Sequence, residues 1–300
     1  MIVIPPISIT GSMVTSSTIA EPSSGETLWN AATGYISPNK VYRAETHKIY
    51  ESTSITSTIN ATVPELSIYT TEPKWIEISS TNRFAMFDTL RNVKSYATNS
   101  MVFSIVLSQR IDSLVLLGLE NVSNILVTTT YLGTTVTLVN KNNSYTSDGS
   151  TSYYSSYIAL NLQPYYGLVV TITLTGTGII KCGNCILGTY ENIGYTQKGV
   201  SVDTINFSVV DRDLYGNATL IQRRNIPKIS ASLIIDKTKI NKVSKLREYL
   251  NAKPAVWSGL DESVSDSYYE SLLVLGFYKN FTINIDNPIA ITINLELEEI

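Results

Sequence analysis

Apolar and polar residues alternate most regularly near the end of the chain. There Ile291, Ile293, Leu295 and Leu297 take every second position between Thr292, Asn294, Glu296 and Glu298. A period of two puts one row on a core and the other in water, which predicts a half-buried β-strand. The period becomes helical over Ile240, Val243, Leu246 and Leu250, with Lys239, Lys242, Lys245, Arg247 and Glu248 mostly on the opposite side. Asp236 or Thr238 supplies a cap, and Asn251 and Pro254 end the helix, since proline biases its predecessor away from helical geometry. Strands are expected over 204–211 and 218–224, joined by a hairpin turn at 213–217 whose Gly216 and Asn217 tolerate positive φ. Further strands are expected at 228–235, 254–257 and 272–285. One helix among strands must lay its apolar stripe on a sheet, so residues 199–300 are expected to form an α+β domain.

Upstream, β-branched runs bounded by Gly, Asn, Asp or Pro predict strands at 101–107, 113–118, 124–131, 134–139, 156–162, 168–175 and 178–187. Their spacing suits a jelly-roll-like β-sandwich over residues 81–198. The Asn/Ser/Tyr/Gly-rich stretch 140–157 between them predicts an exposed loop. Residues 1–24 combine an apolar run with a Ser/Thr-rich stretch, the pattern of one strand followed by a connecting or docking arm. The chain as a whole is expected to be mainly β.

Residues 25–80 carry a different signal, a spaced set of aromatics: Trp29, Tyr35, Tyr42 beside Val41, Tyr50, and Trp75 after Pro73. About fifty residues bury little surface, so aromatic bulk must supply most of the core of such a module. The spacing resembles the small chitin-binding modules attached to bacterial chitinases, which run Trp, a Tyr six residues on, a turn and Val, a second Tyr, and a closing Trp. That resemblance implies a carbohydrate-binding role in which Trp29, Tyr35, Tyr42, Tyr50 and Trp75 stack on sugar rings. The residues by themselves favour a buried aromatic mini-core, since aromatic bulk holds a small domain together whether or not a sugar is present.

Composition narrows the chemistry. The chain is 43% hydrophobic but only 16% charged, so its surface is mostly neutral polar. A net charge of −3 with no basic tract disfavours nucleic acid as a partner. The opening MIVIPPISIT lacks a basic region and a long apolar run, so no secretory signal is expected, and no segment is long and apolar enough to insert in a membrane. The two cysteines, Cys182 and Cys185, have no second Cys or His pair with which to complete a zinc site, and they follow a β-like run rather than opening a helix. They are expected to be structural. The single histidine, His47, is expected at the surface, and Asp211 and Asp213 belong to a hairpin. Asp261, Glu262 and Asp266 fall in a polar stretch expected to be solvated. Neither a catalytic constellation nor a cofactor fingerprint emerges, so an enzyme is not expected.

Four segments, Asn82-Arg-Phe-Ala-Met-Phe-Asp88, Asp211-Arg-Asp-Leu-Tyr-Gly-Asn-Ala-Thr-Leu-Ile-Gln-Arg223, Pro254-Ala-Val-Trp257 and Leu275-Gly-Phe-Tyr-Lys-Asn-Phe281, resemble proteins encoded in the tail gene clusters of tailed bacteriophages. The order strand, hairpin, strand, helix, strands also looks like the fold of tail-tube and distal-tail proteins. The resemblance implies a virion structural protein, made in the host cytoplasm, that assembles with itself and with other tail or connector proteins in rings. A tail adhesin that engages a host cell-surface glycan through the aromatic module is the alternative.

Overall fold

In a computed structural model of the chain, the residues described are 1–22, 25–59, 62–89, 93–107, 109–131, 133–163, 167, 169–259, 269–285 and 290–300. Asp261, Glu262, Asp266 and Leu168 lie outside them. The protein is mainly β, with sheets that are almost entirely antiparallel. Among the described residues, the helix Ile240–Tyr249 is the only one longer than a single turn. The chain divides into two compact units, one of residues 1–7, 158–161 and 187–300, the other of residues 8–157 and 162–186.

The first unit is built on one large sheet. Its strand order is Glu191–Asn192, Ile2–Ile4, Ala255–Ser258, Leu273–Asn284, Ala290–Glu299, Asn225–Asp236 and Tyr195–Thr196, with Ser201–Asn206 also pairing Asn225–Asp236. The period-two rows face one core: Ile229, Ala231, Leu233 and Ile235 lie opposite Leu297, Leu295, Ile293 and Ile291 across the central pair, and all eight are buried. The helix closes that face with Val243 and Leu250, flanked by Ile240 and Leu246. Asp236 caps its approach by accepting the Thr238 N–H at 2.8 Å. Its C-terminal turn is pinned to the sheet where Tyr278 Oη donates to Arg247 O at 2.9 Å. The apolar start of the chain is part of this sheet: Val3 pairs with Trp257, and the Met1 amino group donates to Gly194 O.

The expected strand 204–211 is two strands. Ser201–Asn206 stays in the sheet, while Val209–Arg212 leaves it to pair with Ala218–Ile221. The break falls where Asn206 Oδ1 accepts the Ser208 N–H at 2.8 Å, a side-chain turn that bends the backbone.

In the second unit a five-stranded sheet runs Thr134–Asn142, Glu120–Tyr131, Val169–Cys182, Ser95–Val106 and Val14–Ser17. Its buried row is a ladder of facing apolar pairs, Val127 with Ile172, Ile172 with Phe103, and Leu174 with Met101. Ser113–Leu117, buried at every residue, belongs to a second, three-stranded sheet, which gives this region its β-sandwich-like character. Two expectations are corrected here. Residues 178–187 do not form a separate strand: Val169–Cys182 is continuous, with an irregularity between Thr175 and Ile179, and Asn184–Gly188 follows after a turn at Gly183. The glycine at 176 is required there, because a Cβ would sit 1.8 Å from Asn121 O. The stretch 140–157 is not a loop throughout. Ser144–Ser147 pairs with Ser150–Tyr153 around Asp148-Gly149, both with positive φ, as a two-residue hairpin demands.

Candidate functional site

The aromatic segment lies within the second unit. Thr27–Leu28, Lys40–Arg43, Lys48–Ser52 and Trp75–Ser80 form a four-stranded sheet, and Gly34–Tyr35 pairs with Thr58–Ile59 beside it. The five candidate aromatics are brought together, but most of them face inward. Tyr35, Tyr50 and Trp75 form the core with Val41, and the Tyr35 ring meets Trp75 edge-on at 5.2 Å. Trp75 and Tyr50 are each 1% exposed, so neither ring has a face open to a sugar. The Tyr35 hydroxyl accepts the Asn30 N–H at 2.9 Å, and the Tyr50 hydroxyl meets Thr46 Oγ1 at 3.3 Å. Burial pushes the Tyr50 phenol above its ordinary range.

Trp29 and Tyr42 are half-buried. The Arg43 guanidinium lies 4.8 Å over the Trp29 ring and covers one of its faces. That guanidinium is itself fixed by a two-pronged pair with Glu65, at 3.1 and 3.0 Å, and by Glu45 at 3.2 Å. Sequence reasoning missed Arg43 because its partner Glu65 sits 22 residues away, in the turn of helix Pro64–Ser67. The Nε1 donors of Trp29 and Trp75 are buried without a hydrogen-bond partner. Beside the core, Thr27, Thr33, Tyr35, Asn39 and Lys40 line a cleft of about 510 Å³.

His47 is not a surface histidine. Its ring stacks on Phe84 at 3.7 Å, and its Nδ1 lies 3.0 Å from Glu21 Oε1. Thr81 Oγ1 donates to the same oxygen at 2.6 Å, and Arg83 reaches the other carboxylate oxygen at 3.5 Å. The Glu21 side chain is 8% exposed, and these partners satisfy its carboxyl oxygens away from water. The cluster ties residue 21 to the aromatic segment and to the start of the sandwich strands, as a structural clasp does. His47 Nε2 abuts Gly11, where an added Cβ would lie only 2.0 Å from it.

Cys182 and Cys185 are buried free thiols. Burial pushes Cys182 up to about 12 and Cys185 well above its usual range. The Cys182 thiol donates to Asn184 O at 3.6 Å. Asp213, the carboxylate of the hairpin turn, is a turn builder: it accepts the N–H groups of Tyr215 and Asn217 and the Asn217 side-chain amide at 2.8–2.9 Å, and these bonds hold its carboxyl below the usual range.

The hairpin itself has the barest surface in the first unit. Residues 209–225 are all exposed, including Leu214 at 101%, Tyr215 at 91%, Leu220 at 75% and Val210 at 56%. Among the described residues no group of three or more His, Cys, Asp or Glu is placed to hold a metal ion, and no helix is long and apolar enough to cross a membrane. No protein-family model matches the sequence, and no curated protein matches it.

Proposed function

We propose that this chain is a structural component of a bacteriophage tail that assembles in several copies, as a ring or collar, through its C-terminal unit. The observation that carries the reading is where the tail-like segments fall. Residues 211–223 make the exposed hairpin, 254–257 bring the buried Trp257, and 275–281 lie in the strand to which the helix is pinned. All three build scaffold or present apolar surface, and bare apolar surface of this kind is how assembling proteins reach their neighbours. In this reading the β modules of the second unit are displayed outward, and the partners are further copies and other tail or connector proteins. Mass spectrometry of purified virions is expected to find the chain in multiple copies, and light scattering is expected to show association at high protein concentration. A chain absent from virions and monomeric at high concentration removes the reading.

The alternative, a glycan- or receptor-binding tail adhesin, is supported by the cleft beside Tyr35. Hydroxyl, amide and ammonium groups of Thr27, Thr33, Asn39 and Lys40 converge there on an aromatic edge, a mixture suited to a sugar. On a glycan array, Thr33→Ala and Lys40→Ala variants, both altered at the lining of the cleft, are expected to bind about tenfold or more weakly, the loss of a contact worth ~1.4 kcal/mol. Trp75→Ala is a poor probe of binding because it removes the core. No binding on the array, or binding unchanged in folded variants, eliminates the adhesin.

A further inference from the structure

We propose that the hairpin of strands Val209–Arg212 and Ala218–Ile221 is the contact by which one copy of this chain holds a second, seating against the free edge of strand Ser201–Asn206 in its neighbour. The proposal rests on the assembly reading above and names the surface responsible.

The hairpin cannot be explained by the fold that carries it. Four residue pairs in a two-stranded ribbon are marginally stable in water, and among the described residues no third strand or helix covers either face. Val209, Val210, Leu220 and Ile221 nevertheless give it apolar side chains, with Leu214 and Tyr215 at the tip and Phe207 at the base. An interface of standard size takes about 800 Å² and roughly 20–30 residues from each partner. In a head-to-tail contact one copy gives the seventeen consecutive exposed residues from 209 to 225 with Phe207, a surface approaching that size, and its neighbour gives the edge strand Ser201–Asn206 with the residues around it.

Two observations favour a second copy over another protein. The first is charge. Residues 201–225 hold Asp203, Asp211 and Asp213 against Arg212, Arg223 and Arg224, the last already paired with Glu299 at 2.8 Å, so the segment carries little net charge and two copies meet without strong repulsion. The second is the presence of a complementary edge on the same unit. Among the described residues Ser201–Asn206 pairs on one side only, with Asn225–Asp236. Thr204 lies opposite Pro227, which has no N–H, and its own N–H turns away to Asp203 Oδ1 at 2.7 Å. That edge is therefore open to a further strand, with one short side-chain bond to displace. A ribbon on one copy and an open edge on the next make a head-to-tail contact, the kind that closes into a ring when the rotation permits.

The test is sedimentation velocity of the full chain across a range of concentrations, with two variants. Leu214→Ser combined with Tyr215→Ser strips the tip, where both side chains are exposed and their loss leaves the fold alone. Thr204→Pro blocks the edge at an N–H that makes no bond to its neighbouring strand, a position proline tolerates. The expected result is that the wild type associates and both variants do so at least tenfold more weakly, with unchanged unfolding midpoints. Association of the tip variant as strong as that of the wild type overturns the hairpin contact and leaves the assembly reading standing. A wild type that remains monomeric throughout overturns both, and the hairpin's occupant is then a different protein.

Discussion

Replacing Trp257 by alanine is expected to destabilise the first unit by about 3–5 kcal/mol, the range for removing a large buried aromatic. The indole is fully buried, its strand positions face Val3 on one side and Val274 on the other, and its Nε1 donates to Gly276 O at 3.1 Å. Truncation opens a cavity and leaves that carbonyl without its donor, and the neighbours have little freedom to collapse: at Gly276 even a single methyl group would come within 2.0 Å of Glu298 O. A domain has about 5–15 kcal/mol in total, so the loss is a large share of it. Urea unfolding followed by circular dichroism is expected to move the transition of this unit to lower denaturant. Because the other two tryptophans, Trp29 and Trp75, belong to the aromatic segment, their fluorescence reports the second unit and is expected to stay in place. Trp257→Phe, which keeps most of the bulk, is expected to lose less. A Trp257→Ala protein within 1 kcal/mol of the wild type contradicts the core assignment.

The thiols carry the second large effect. With Cys182 raised from 9.0 to about 12 by burial, its thiolate fraction at pH 8 falls about a thousandfold, one decade for each unit of pKa. Since the thiolate is the nucleophile, alkylation by iodoacetamide in the native protein is expected to be slower than in the denatured chain by at least that factor, burial adding to it. The same shift fixes a sign for stability. Between the unfolded value of 9.0 and the folded value of about 12 the native state keeps a proton that the unfolded chain has released, so stability is full below about pH 9 and falls as pH rises above it. Acidification below neutrality is expected to leave this contribution unchanged. Two rapidly modified thiols in the folded protein, counted by mass spectrometry, overturn the assignment of both cysteines as structural.

How much of this was legible in the sequence depended on the range over which each feature is specified. The helix and the last strand were readable because their signals are local: Ile240, Val243, Leu246 and Leu250 recur at helical spacing, and 291–297 alternates without interruption. The hairpin at 213–217 was readable for the same reason, its turn being made by Asp213 and Asn217 themselves. The second hairpin carried an equally local Asp148-Gly149 signal, which the low complexity around it obscured. Other features are fixed at long range. His47 is half-buried because Glu21 and Phe84 meet it from 26 and 37 residues away, and nothing near His47 announces either. The aromatics at 29, 35, 42, 50 and 75 were identifiable as a group, and small-module physics favoured a mini-core, but which of the five would be the buried ones was not legible. Spacing says that rings meet, whereas the arrangement of the strands decides whether a ring faces the core or a ligand.

The placement of Ile2–Ile4 between Glu191–Asn192 and Ala255–Ser258 bears on the order of events at the ribosome. This strand leaves the exit tunnel ahead of every partner it will pair with, and Ile2 faces Ser258. At about 5–20 residues per second the interval between the two is roughly 13–50 s, long against the microseconds in which local hairpins and helices form. An apolar strand of three residues thus waits while some 250 residues are made, and the second unit, whose strands lie almost wholly within that interval, has time to fold first. Closing the large sheet is then a late step, in which a segment made some 250 residues earlier is inserted beside strands that have only just emerged.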